Sequence, residues 1–311
     1  MSNSMPKVNV LLATYNGEKH LKKQLDSILN QTYQNIDVYI RDDGSKDGTV
    51  EFIKKYIIEN KSQKNFYLLD SQGINLRCPE SFYEIARKCA PAKYYAFCDQ
   101  DDEWYPEKIQ WAVERLEQED NQELLVYFSA CDYKFADGTF IRKSPVQSDS
   151  FALHEVLYYT PGSGFTMVFN EVARQKLIIE KILGNELHDR WVIRGAVCFG
   201  KVIYDERSTA AHIRHEEAVT AGDSDNTSLL LHFITNELKG DSAKQDKEAL
   251  AYFYDCFKDV LTEDQKKTLV LFASKKKSPV IWLKKVFYPK KLRTRLPGEL
   301  ALRMLFFIGK I

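Results

Sequence analysis

The chain of 311 residues has no C-x-x-C pair, and none of its six cysteines stands at zinc-finger spacing from a histidine. Cys78, Cys89, Cys98, Cys131, Cys198 and Cys256 therefore read as single reduced thiols of a cytosolic protein, not as a disulfide frame or a zinc site. Nothing reaches 18 uninterrupted apolar residues, so no membrane-spanning helix is expected. The opening Met-Ser-Asn-Ser-Met-Pro lacks the basic start and apolar run of a secretory leader, so a cytoplasmic protein is expected. No G-x-G-x-x-G follows any apolar run, which argues against a nicotinamide dehydrogenase. Internal repeats and low-complexity tracts are also missing.

Net charge is lacking too, with 44 Lys and Arg against 44 Asp and Glu, but the balance hides an asymmetry. Residues 275–311 hold eleven Lys or Arg against the single acid Glu299, a charge of +10, which leaves −10 on everything before them. A basic tail on an acidic body points to an anionic surface as the tail's partner.

What is present is a 44% apolar composition, enough for a substantial core. Over the first 130 residues short apolar runs alternate with helical periodicity, the pattern of a parallel sheet covered by helices. Strands are expected at 8–13, 37–41, 66–69, 94–98 and 125–129, with helices at 18–30, 48–59, 79–88 and 106–119. Beyond residue 145 the pattern loosens to a strand at 164–169, a helix at 189–199 and a strand at 201–204. After residue 225 only helical periodicity remains, at 229–238, 249–261 and 264–274. This divides the chain into an α/β domain over 1–222, with halves at 1–102 and 103–222, and a helical region over 223–311.

In such sheets ligands bind beyond the carboxyl ends of the strands. Three of those ends are polar: Thr14-Tyr15-Asn16-Gly17, Asp42-Asp43-Gly44-Ser45 and Asp99-Gln100-Asp101-Asp102. Alternate residues just past a strand can direct two carboxylates to one point, so Asp99 and Asp101 suit a hard cation, Mg²⁺ or Mn²⁺, bridging a diphosphate. The alternative is an acidic loop capping the helix that begins near Pro106. Asp42 to Thr49 could likewise be an ordinary strand-to-helix turn. The joint occurrence of three such turns, each after a strand, favours a ligand crevice.

Leu12 to Gly17, Arg41 to Thr49 and Phe97 to Trp104 resemble the successive motifs of glycosyltransferase family 2. The D-Q-D-D-x-W form with a basic tail is most similar to its bacterial rhamnosyltransferase branch, which builds cell-wall and capsular polysaccharides. The resemblance implies an A-type glycosyltransferase fold, a Rossmann-like mostly parallel sheet flanked by helices, and transfer of a sugar from a nucleoside-diphosphate donor. It places Thr14, Tyr15 and Asn16 along the nucleoside, with Asp42, Asp43, Asn75, Asp99 and Gln100 on the nucleotide side. Asp43 would accept from the imide N–H of uracil or thymine, favouring a dTDP or UDP donor, dTDP-L-rhamnose first. Arg77 stands where glycine is usual. Asp99, Asp101 and His215 would hold the metal and Arg214 would add phosphate charge. Asp189 in His188-Asp189-Arg190-Trp191 would be the base of an inverting transfer, with an N-cap as its simpler alternative. Gly162, Ser163, Gly164, His188 and Trp191 fall on the acceptor side.

The tail interleaves its cations with Trp282, Phe287, Tyr288, Phe306 and Phe307, as an interfacial membrane segment does. It is expected to hold the enzyme at the inner face of the cell membrane, where the resemblance implies a polyprenyl-diphosphate-linked glycan acceptor. No nucleic-acid motif accompanies it. Packing on the acidic body, or a homodimer interface, would use the same composition. A nucleotidyltransferase would need a glycine-rich basic loop after the first strand, which Thr14 to Gly17 does not supply. An inactive scaffold homologue would be expected to lose the D-x-D or the base, and both are present.

Overall fold

The computed structural model describes residues 5–148, 150–178, 186–214, 242–274, 276, 278–293 and 296–310. Among them, nine strands form one mixed sheet. β1 (Val8–Thr14), β2 (Ile36–Asp42), β3 (Asn65–Leu69) and β4 (Tyr94–Cys98) pair in parallel in the order β3-β2-β1-β4. The sheet continues past β4 through β8 (Val168–Asn170), β6 (Leu124–Phe135), β9 (Gly200–Arg214) and β5 (Glu103–Trp104), while β7 (Phe140–Lys143) pairs on β6. β8 runs antiparallel to both β4 and β6, so one reversed strand joins the parallel half to the rest. The expected strand at 164–169 is corrected: Gly164–Thr166 is a 3₁₀ turn, and only Val168–Asn170 pairs.

Ten helices flank the sheet among the described residues. They are α1 (Leu21–Leu29), α2 (Thr49–Asn60), α3 (Glu80–Lys88), α4 (Lys108–Leu116), α5 (Glu171–Leu177), α6 (His188–Phe199), α7 (Ser242–Phe257), α8 (Glu263–Ala273), α9 (Pro279–Val286) and α10 (Leu296–Phe307). The expected helix at 229–238 lies outside the described residues. Both sheet faces are covered, so β1 is apolar almost continuously and its side chains are shared by alternation. Val8, Val10 and Leu12 join the core under α1, α2 and α4, whereas Leu11 joins the core on the opposite face.

That second core also takes in the helices beyond residue 242. Trp191 of α6 meets Phe253 and Phe257 of α7 at ring-centroid distances of 5.2 and 5.7 Å. Tyr158, in the segment before β8, meets Phe272 of α8 and Phe306 of α10. The C-terminal helices thus share an apolar core with α6 and the sheet.

α6 is fixed by one buried ion pair. Arg194 donates to Glu186 Oε2 at 2.6 Å and to the Leu157 carbonyl at 3.2 Å, and neither charged side chain reaches solvent. Removing one partner leaves the other charge buried, which outweighs anything an exposed pair contributes. Arg194→Met is therefore expected to lower unfolding stability by about 3 kcal/mol, and a urea melt within about 0.5 kcal/mol of wild type would contradict this.

Candidate functional site

The parallel registers bring the polar strand ends together: Thr14 lies opposite Asp42, and Leu12 opposite Cys98. Three turns therefore leave the sheet side by side, and their side chains knit them. Gln100 forms a reciprocal pair with the Tyr15 backbone, accepting from its N–H at 2.8 Å and donating to its carbonyl at 3.0 Å. The Asn16 N–H donates to Ser45 Oγ, and Asn16 Oδ1 accepts the Lys46 N–H, each at 2.8 Å. The Gly17 N–H reaches Thr49 Oγ1 at 2.8 Å, and Glu18 accepts the Gly48 N–H at 3.0 Å.

Asp42 and Asp43 divide the work. The Asp42 carboxylate accepts the Gly44 and Ser45 N–H groups and the hydroxyls of Thr14 and Ser45, so it organises its own turn. Gly44, at φ +81°, is the residue that lets that turn close. Asp43 pairs with Arg41 and accepts the Leu76 N–H at 2.8 Å and the Arg77 N–H at 2.6 Å. Arg41 in turn donates to the Ile74 carbonyl at 2.8 Å. Arg77 adopts φ +63°, the left-handed conformation that glycine takes without strain, so this backbone bend persists with a side chain on it. Tyr15 and Asn75 stand exposed above these turns.

Negative charge concentrates at the third turn. Asp99 and Asp101 are partly exposed. Desolvation, then the carboxylates of Asp102, Asp101 and Asp189, push the Asp99 carboxyl well above the usual range, and His212 only partly offsets them. Asp102 is buried and holds His212 Nδ1 at 2.8 Å, and this contact raises the imidazole's pKa. Here is a site residue the sequence reading passed over: His212, 110 residues from its partner, with its ring between Tyr133 and Phe165. Only its place at the end of an apolar strand could have signalled it. His215 lies outside the described residues, and Arg214 rests over the Tyr133 ring.

On the other wall α6 begins at His188, with Leu187 at the N-cap. Asp189 is thus the helix's second residue, not its cap, and its Oδ1 accepts the Arg190 N–H. Burial pushes its pKa up to about 6, against the pull of the Arg190 N–H and guanidinium. Its neighbours point inward. Trp191 is fully buried and donates to the Leu177 carbonyl at 2.7 Å, which makes it a core residue. His188 is buried against Phe82 and Phe97, and desolvation pulls its pKa down to about 3, so it is a neutral wall element. Gly162 and Gly164 are small because of what lies beneath them: a Cβ on Gly162 would meet Phe128 at 2.5 Å, and one on Gly164 would meet His188 Nε2 at 2.0 Å. Of that turn only Ser163 is partly exposed.

Residues 9–177 match the family model described as Glycosyl transferase family 2. The chain belongs to glycosyl transferase family 2. A family relative in Escherichia coli, named UDP-Glc:alpha-D-GlcNAc-diphosphoundecaprenol beta-1,3-glucosyltransferase WfaP, is 33% identical over 131 residues, 42% of this chain and 47% of that protein. The match to the first curated relatives spans only 38% of their length. The fold is that of solved members of this class. TarS of S. aureus, solved with UDP-GlcNAc, superposes with a TM-score of 0.57 at 14% identity over 97% of this chain and 92% of that one. The mannosyltransferase PcManGT of Pyrobaculum calidifontis, solved with GDP-Man and Mn²⁺, gives 0.54 at 14% over 99% and 88%.

No group of three or more potential metal-ligating side chains is found among the described residues. Mg²⁺ and Mn²⁺ need fewer, since substrate phosphates and water complete their shells. The donor set fits such an ion: two carboxylates, Asp99 and Asp101, stand in a cluster of acids whose repulsion raises the Asp99 pKa and is only partly offset by His212.

Asp43→Ala is expected to strand the buried Arg41 guanidinium and two loop N–H groups, lowering stability by about 3 kcal/mol. Amide exchange at Leu76 and Arg77 should accelerate before the core opens. Unaltered protection at those two amides would show that the carboxylate does not hold the loop.

Proposed function

We propose that this chain is an inverting glycosyltransferase that moves a sugar from a pyrimidine nucleoside-diphosphate donor to a hydroxyl of a lipid-linked glycan. The observation that carries the proposal is the nearness of two acid groups: the Asp99–Asp101 turn just past β4, and Asp189 at the start of α6, whose carboxylate helps to raise the Asp99 pKa. The Tyr15 ring, exposed beside the first turn, is available to the base, and Asp43 lies below with the loop that would close over the nucleoside.

In the reaction Asp189 takes the proton of the acceptor hydroxyl as its oxygen attacks the anomeric carbon. The bond from that carbon to the diphosphate breaks on the opposite face, so configuration inverts and the nucleoside diphosphate leaves with the electron pair. A divalent cation held by Asp99 and Asp101 supplies, when bound, positive charge for the departing diphosphate. Asp189 suits its part because burial leaves it basic enough to take a proton, while a value near 6 keeps it ionised at neutral pH. The α6 N-terminus stabilises that ionised form.

The donor sugar is the finer part of the proposal. The D-Q-D-D-x-W motif favours dTDP-L-rhamnose, while the name of the E. coli relative favours UDP-glucose and supports an undecaprenyl-diphosphate-linked acceptor. Transfer from each donor to a lipid-linked acceptor decides between them.

Asp189→Asn tests the base directly. Transfer should fall by roughly 10²–10⁴ while nucleotide binding persists. Wild-type transfer should rise with pH through about 6 and level off above it, and the variant should lack that limb. Stability moves the other way. Because the folded-state pKa exceeds the ordinary 3.8, the ionised carboxylate is a cost that is absent below pH 3.8 and complete above about 6. The variant should therefore melt higher than wild type at pH 7 and level with it near pH 4. Near-normal transfer by the folded variant would refute the base.

A further inference from the structure

Between α8 and α9 lies a cavity of about 670 Å³. Its wall is apolar, with Leu271 of α8 and Ile281 of α9, and four lysines stand around it: Lys267, Lys276, Lys284 and Lys290. All four are exposed. A single acid, Asp264, shares the lining, and its contact with Lys290 is a loose 4.0 Å between two exposed side chains. Four like charges around one apolar cleft repel one another, and the exposed Asp264 offsets little of that repulsion. The combination matches one ligand chemistry, a phosphate head joined to an apolar chain.

A second observation points to the same partner. α10 is apolar on two faces. Ala301, Leu302, Leu305 and Phe306 face the core and are buried. Leu300, Met304, Phe307 and Ile308, spaced i, i+4, i+7 and i+8, are 58, 41, 61 and 50% exposed. On a helix that spacing is one continuous stripe, the side that carries charge when it faces water. Leu283 of α9 and Phe287 just after it are 46 and 71% exposed and extend the apolar surface beside Lys284. The charge is complementary as well, since residues 275–311 carry +10 against a body of −10. The acidic remainder is repelled by an anionic leaflet, so the basic C-terminal side, with Lys267 of α8, is the one that can face it.

We propose that the cleft between α8 and α9 binds the phosphate head of an anionic membrane lipid, and that the outer stripe of α10, with Leu283 and Phe287, enters the same leaflet. The site takes one lipid, with its phosphate among the lysines and the start of its acyl region along Leu271 and Ile281. This is separate from the donor crevice and rests on the transferase reading only in that such docking would bring the enzyme to a membrane-held acceptor.

The test uses the full chain and flotation with vesicles of phosphatidylcholine alone or with roughly one-third phosphatidylglycerol, at physiological salt. Wild type should bind the anionic vesicles and not the neutral ones. Each lysine removed should weaken binding about fivefold, so Lys267→Gln/Lys284→Gln/Lys290→Gln should weaken it roughly a hundredfold. Leu300→Asp/Met304→Asp should also release the protein, while both variants keep nucleotide affinity and melting temperature. Inorganic phosphate is the second probe. Phosphate that binds the cleft of wild type, with no flotation, would overturn the lipid assignment in favour of a soluble anion. Flotation unchanged in the triple variant would overturn the cleft. Loss of nucleotide binding in wild type would instead fail the transferase reading and leave the vesicle result standing.

Discussion

Three carboxylates just past the end of β4 and one at the start of α6 set the terms for the rest of the molecule. Asp99, Asp101, Asp102 and Asp189 crowd together where water is partly excluded: burial and the other three carboxylates raise the pKa of Asp99, and burial, with Glu186, raises that of Asp189. Such a cluster persists only when its supports are over-determined. The reciprocal Gln100–Tyr15 pair, the Asn16–Lys46 and Gly17–Thr49 contacts and the Asp42-centred turn fix one wall. The buried Arg194–Glu186 pair and the Trp191 contacts with α7 fix the other. Stability gathered in the core offsets charge repulsion held at the site.

The C-terminal helices enter this arrangement through packing. Phe253 and Phe257 press on Trp191, two residues from Asp189, and Asp246 pairs with Arg190, so the placement of the proposed base depends on α7. The same helices turn their outer surface, basic and apolar together, away from that core. One layer thereby supports the site on its inside and presents an interaction surface on its outside.

Much of this was legible in the sequence because strand ends announce themselves. Apolar runs ending in Thr14, Asp42 and Asp99 located the strands and their polar ends, and glycine or asparagine marked the first two bends. What escaped depends on geometry that periodicity does not carry. Asp189 and Trp191 belong to one motif, yet residues two apart on a helix point about 200° apart, so a side chain facing the crevice sends its partner into the core. Gly162 and Gly164 also leave room for Phe128 and His188, a packing need that the sequence pattern does not reveal. Asp102 and His212 meet across 110 residues, and only the pairing of β5 with β9 brings them together. The strand expected at 164–169 began too early because a 3₁₀ turn shares the small, apolar composition of a buried strand.

If repulsion within the carboxylate cluster is the central feature, a cation must accompany the diphosphate into the crevice. The direct measurement is calorimetric titration of UDP and dTDP into wild type and Asp101→Asn, with Mn²⁺ and with chelator. Wild type should bind at least one nucleotide more than about tenfold tighter with Mn²⁺, and Asp101→Asn should bind weakly and equally in both conditions. Equal wild-type affinity with Mn²⁺ and with chelator would contradict the account.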